Sequence, residues 1–168
     1  IDTTNADTSL SASFSQPVTK IDKNSSYIYV SNFENGIRRI LSNGAIDSSW
    51  TPSLLRSLTQ STPIVYDFLI NESTMYLSGN FRAIQDVPRS NVAKININTL
   101  AVDSNWNPNA NAAVRKIYKN NSYINLFGDL TNINGWRDFG PYDQISGETP
   151  NISASNKIFK EIDGRVLC

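Results

Sequence analysis

The sequence predicts an all-β chain of repeated antiparallel units, and three observations carry that prediction. The tag Asp103-Ser104-Asn105-Trp106-Asn107-Pro108 has an earlier twin, Asp47-Ser48-Ser49-Trp50-Thr51-Pro52, in a chain with only 3 Trp and 7 Pro. A strand-like motif recurs as Val18-Thr19-Lys20-Ile21, Val65-Tyr66-Asp67-Phe68, Val114-Arg115-Lys116-Ile117 and Phe159-Lys160-Glu161-Ile162, at spacings of 47, 49 and 45 residues. Asn and Ser make up roughly a quarter of the chain; both favour turns and compete with helix hydrogen bonds. No stretch keeps a helical apolar stripe for three turns.

Taken in order, residues 1–17 are polar and without period. Leu10, Phe14 and Pro17 echo the run from Leu100 through Trp106 to Pro108. They read as the tail of a preceding repeat, or else as an N-terminal arm. Repeats then run over 18–64, 65–113 and 114–158, with 159–168 opening a further one. Each begins with the recurring motif and passes a polar turn, such as Lys23-Asn24-Ser25, Asn71-Glu72-Ser73 or Asn120-Asn121-Ser122. An apolar strand follows, such as Tyr27-Ile28-Tyr29-Val30, so each start is a hairpin. That strand runs into Ser31-Asn32-Phe33, Gly79-Asn80-Phe81 or Gly128-Asp129-Leu130. After a loop of variable length comes a third strand, Ile37-Arg38-Arg39-Ile40 or Val92-Ala93-Lys94-Ile95, then a turn, then the Trp tag. Asn43-Gly44 is the favoured pair for a two-residue hairpin turn.

Three strands, with room for a fourth near the tag, fit the four-stranded antiparallel blade of a β-propeller. The chain holds about three to three and a half such blades, a partial propeller, since rings close with roughly four to eight. A blade covers its faces only by stacking on neighbours. The partners expected are therefore the rest of a larger propeller chain or further copies of this one. A chain that starts at Ile1 and stops at Cys168 inside a predicted strand reads as a piece of something longer. A β-sandwich with similar strands is the alternative fold.

The second repeat resembles the delta-60-type β-propeller repeat of bacterial secreted and surface proteins. The matching residues are Tyr76, Gly79, Asn80, Phe81, Arg89, Asn91, Asp103, Trp106, Pro108, Val114 and Ile117. The first repeat departs at Ser31, in the place of the Gly, and lacks the Arg-Asn loop. The third departs after Arg137, since 139–156 carries no Trp tag. The resemblance implies an extracellular or cell-surface scaffold or adhesion module, and it brings no catalytic set.

Composition narrows the chemistry. Net charge is zero from 15 basic and 15 acidic residues, with no basic stripe for nucleic acid. No apolar run is long enough for a membrane span. The chain has no His and a single Cys, which removes the commonest general base and every Cys/His zinc site. Cys168 has only Arg165 nearby to lower its pKa and is not assigned as a nucleophile. Recurring residues read as structure: Asp47, Trp50, Pro52, Asp103, Trp106 and Pro108 as a turn with an aromatic between neighbouring units, and Gly79, Phe81 and Gly128 as inner-strand packing.

Trp136 breaks the pattern, because nothing aromatic occupies the equivalent place near Val87. With Arg137, Asp138 and Asp129 it suits stacking on a sugar or anchoring a protein partner; the plain reading is a local plug. Asp129, Asn132 and Asn134 before Gly135 faintly resemble a calcium loop, at the wrong spacing for an EF-hand. No other metal or cofactor is expected. Paired carboxylates are the one catalytic chemistry left, but Asp22, Asp67 and Asp163 read as facing solvent beside a turn. The expected function is a non-enzymatic surface module; the alternative is a carbohydrate-binding or carboxylate-based glycoside-active propeller fragment.

Overall fold

In the computed structural model, which describes residues 12–34, 36–56, 62–120, 123–133, 136–137, 157–162 and 165–167, each recurring motif forms the first strand of a hairpin. No helix occurs among the described residues. β1 (Val18–Lys23) turns at Asn24, whose Oδ1 accepts from the N–H groups of Ser26 and Tyr27. The chain returns as β2 (Ile28–Asn32) and β3 (Gly36–Ile40), a three-stranded antiparallel sheet in the order β1-β2-β3. After the first Trp tag comes the short β4 (Leu54–Leu55). The second repeat supplies β5 (Ile64–Asn71), β6 (Thr74–Asn80), β7 (Ala83–Ile84), β8 (Val87–Pro88) and β9 (Val92–Asn96). There β5, β6 and β9 form the second sheet in the order β5-β6-β9, while β7 and β8 make a small hairpin. The third repeat supplies β10 (Val114–Asn120), β11 (Tyr123–Gly128), β12 (Asn132–Ile133) and β13 (Trp136–Arg137). Beyond them lie β14 (Lys157–Ile162) and β15 (Arg165–Leu167).

Among the described residues the four-stranded unit expected from the period is met only in the third sheet, ordered β10-β11-β14-β15. In the first two repeats the fourth strand shrinks to one bridge, Ile40↔Ile46 and Ile95↔Val102. The Trp tag follows at once and ends the pairing. Residues 159–162, expected to open a further repeat, lie in β14, which pairs with β11 just as β9 pairs with β6. Asn43-Gly44 does not make a two-residue turn. Leu41 N–H donates to Ala45 C=O at 2.9 Å, leaving a three-residue loop in which Gly44 sits at φ +81°.

The first two strands of every repeat share an irregularity. The register shifts between Val18 and Lys20, between Val65 and Asp67, and between Val114 and Lys116. Each is a bulge at the second motif residue, and the extra residue bends the strand. Opposite the valines stand Asn32, Gly79 and Gly128. Asn32, rather than Ser31, thus occupies the place of the two glycines. Their need is steric: a Cβ on Gly79 would meet Ile64 O at 2.0 Å, and one on Gly128 would meet Ala113 O at 2.2 Å. In the first sheet Asn32 takes this place with a side chain.

Alternation along β6 sends its side chains into two different cores. Met75 and Leu77 join Tyr29, Ile37 and Trp50 of the first repeat, around Val65, Phe68 and Ile95. Tyr76, with Val92 and Trp106, packs on Val114, Ile117, Ile124 and Leu126 of the third. The second sheet is therefore sandwiched, one face against each neighbour. Straps reinforce the stacking: β4 pairs with β7 through Leu54↔Ile84, and Ala110, at the same distance from its Trp, bridges Ile133 of β12.

Replacing Gly79 with Ala drives a Cβ into backbone rather than into a flexible side chain. We expect G79A to lose about 2 kcal/mol in urea unfolding, with G128A following and Asn32→Ala losing far less.

Candidate functional site

The Trp tags are consumed by packing. Asp47 Oδ1 accepts from the backbone N–H of Ser49 at 2.9 Å and from its hydroxyl at 2.6 Å, forming an Asx turn. Its Oδ2 takes two hydrogen bonds from Arg39, at 2.8 and 2.5 Å. The Ser49 hydroxyl first, and the Arg39 guanidinium second, hold the Asp47 carboxyl down to about 2. Arg39 also lies 4.2 Å from the Tyr27 ring centroid and 5.6 Å from that of Trp50. Trp50 meets Tyr29 edge to face, and its Nε1 donates to Ile97 O of the next repeat at 2.7 Å. The second tag repeats the plan with Lys94 for Arg39: Lys94 Nζ is 3.1 Å from Asp103 Oδ2, and Trp106 stands edge-on to Tyr76. Trp106 Nε1 has no hydrogen-bond partner among the described residues. Pro52, Pro108 and Phe81 are buried.

Arg89 and Asn91 anchor the loop before β9. Arg89, buried, donates from Nη2 to Asp103 O at 2.8 Å, and burial pulls its guanidinium below the ordinary value. Asn91, at φ +65°, donates from Nδ2 to Ala110 O at 2.7 Å.

Asp67 overturns the expectation of a solvent-facing acid. It is 2% exposed, because the bulge after Val65 turns it between sheets instead of toward the hairpin turn. Lys20 Nζ and Lys116 Nζ, at the same motif position in the flanking repeats, lie 3.3 Å from its two oxygens. The backbone N–H groups of Phe68 and Ile117 donate to it at 3.0 and 3.1 Å. One buried carboxylate thus joins the first strands of three successive repeats. Sequence could have found it through the alternation Lys, Asp, Lys at one repeat position. Asp22 instead is half-buried and accepts from the N–H of Lys23 at 2.8 Å, and Asp163 lies outside the described residues.

The residues chosen for binding separate. Asp129 is exposed and held by Arg115 through two hydrogen bonds, of 3.0 and 2.7 Å, which lower its carboxyl pKa. Trp136 pairs with Ile133 in the β12–β13 hairpin, as Val87 pairs with Ile84, so the equivalence to Val87 is a matter of register. Arg137 follows it in β13, and Asp138 lies outside the described residues, as does the Asn134-Gly135 of the calcium-like loop. Among the described residues no group of three or more His, Cys, Asp or Glu is placed to hold a metal.

What sequence reasoning missed is a cleft of 620 Å³ at the seam of the second and third repeats, with Asp129 on its rim. Asn80, Arg82, Asn91, Asn109 and Asn111 share its lining. Compared with known proteins, the chain matches no family model and no curated protein sequence.

Substituting Asp67 by Ala leaves two backbone donors without an acceptor and two lysines without their anion. We expect a loss of about 3 kcal/mol in chemical unfolding, with D67N recovering part of it. The depressed Asp47 carboxyl stabilises the fold above its unfolded pKa of about 4. That contribution disappears as pH falls through about 2. Thermal melts should therefore show stability dropping across this window, and the drop should be shallower in D47N.

Proposed function

We propose that this chain is a non-enzymatic segment of a β-propeller, serving as a scaffold and protein-interaction module at a bacterial surface. The observation that carries the reading is one face of the first sheet, where among the described residues Val18 and Ile21 stand exposed beside the buried Val30 and Ile40. Val18 is 41% exposed and Ile21 61% exposed, whereas their counterparts Val65, Phe68 and Val114 are 0% and Ile117 is 2% exposed. Ile28 is half-buried where Met75 is 0% exposed. The same positions that a preceding sheet covers twice within the chain are left open here, so another unit of the same kind fits them. That unit belongs either to the rest of a longer chain or to a second copy. It would present an aromatic face like that of Tyr29, Ile37 and Trp50. The extracellular setting rests on the resemblance alone. A single exposed Ile is ordinary, but exposed apolar residues at positions that are buried in both later repeats mark a docking surface.

Sedimentation of the chain over a range of concentrations should show association, with binding of a hydrophobic dye, and Ile21→Glu should suppress both while leaving the melting temperature unchanged. A monomer whose dye binding ignores Ile21→Glu would overturn the interaction reading. Turnover of a glycoside, lost on substituting an acid, would replace it with the glycoside-active alternative.

A further inference from the structure

The two seams between repeats are built from equivalent positions, yet they are filled differently. At the first seam Phe33, just after β2, meets Tyr66 of β5 edge to face at 6.3 Å. Leu54 of the strap packs against the first core, close against Gly36 and beside Val65. The shared register places Asn80 where Phe33 stands and Arg115 where Tyr66 stands. Counting from the two Trp residues, Ala110 and Asn111 replace Leu54 and Leu55. Each change exchanges an apolar side chain for a smaller or polar one; Ala110 stays fully buried, and it is Asn80 and Asn111 that leave the second seam polar and open.

The walls of this cleft are held in place. Asn91 ties the strap by donating to Ala110 O, and Asn111 is bonded to Thr131 through both its amide oxygen and its nitrogen, at 3.0 Å each. Asp129 is fixed by Arg115, which in turn lies 5.1 Å from the Tyr66 ring centroid. Against these walls, the side chains of Asn80, Arg82 and Asn109 make no hydrogen bond among the described residues. Planar amides offer a donor and an acceptor side by side, a guanidinium offers only donors, and a carboxylate only acceptors. A ligand bearing many hydroxyls can answer all three, whereas an apolar one would strand the amides without partners. Asp129 is already paired with Arg115, so Arg82 contributes a single positive charge to the lining. The volume falls within the ordinary range for small-molecule sites, about 300–1,000 Å³.

We propose that the cleft between the second and third repeats binds an oligosaccharide, with Asn80, Arg82 and Asn109 as its polar contacts. The site is independent of the open face of the first sheet, so failure of one reading leaves the other standing.

The test is a titration of the full chain with maltotriose, cellotriose and N-acetylchitotriose, with inorganic phosphate as a contrast, followed by nuclear magnetic resonance of backbone and side-chain amides. At least one trisaccharide should shift the side-chain amides of Asn80, Asn91, Asn109 and Asn111. The variant N80F puts the first-seam Phe at the cleft and should weaken binding by about ten-fold or more with an unchanged melting temperature. Should that variant fold poorly, Arg82→Ala alters only an exposed side chain and should weaken binding in the same direction. The proposal is overturned if no trisaccharide shifts these amides, if the shifts persist in both variants, or if phosphate alone produces them.

Discussion

Successive sheets hold together because each lays a Tyr–Trp face on the first hairpin of the next. Burying one Trp of roughly 200 Å² is worth about 5 kcal/mol by area, far beyond what an exposed ion pair supplies. Trp50 and Trp106 are 2% and 0% exposed. Everything else serves that contact. The Asx turns at Asp47 and Asp103 aim the indoles, Arg39 and Lys94 lie against the aromatic rings, and the straps at Leu54 and Ala110 close the seam behind them.

Apolar stacking alone is tolerant of sliding, and polar contacts across the seams reduce that freedom. Trp50 Nε1 reaches Ile97 O, the Thr19 hydroxyl reaches Val65 O at 3.0 Å, and Asp67 reaches Ile117 N–H and two lysines. A buried carboxylate contributes little net stability, since its desolvation offsets the attraction. It does penalise any register in which its donors fall elsewhere. The bulge that turns Asp67 inward also brings the backbone of Ile64 over Gly79, so one irregularity explains both the buried acid and the required glycine.

Much of this was legible beforehand. The recurrence of Val18, Val65 and Val114 marked three first strands at the right places, and the apolar run after each polar turn marked the second. Phe159-Lys160-Glu161-Ile162 carries the apolar spacing of a first strand, and β14 pairs both with β11 and with β15. Pattern reports which side chains alternate, not which neighbour they pair with. Asp67 was misjudged for a related reason: a bulge reverses the facing of a residue without altering its motif.

The candidate cleft shows the division most sharply. Asn80, Asn91, Asn109 and Asn111 are ordinary turn and loop residues one at a time, and Ala110 is unremarked in any pattern. Only stacking brings them to one seam with Arg82 and Asp129, where the second repeat has Asn80 in the place of Phe33. The sequence by itself determined the strand class, the period and the aromatic tags, because these depend on local alternation and turn chemistry. The tertiary structure decided the pairing of β14, the burial of Asp67 and the existence of the cleft, because each depends on which sheet lies against which.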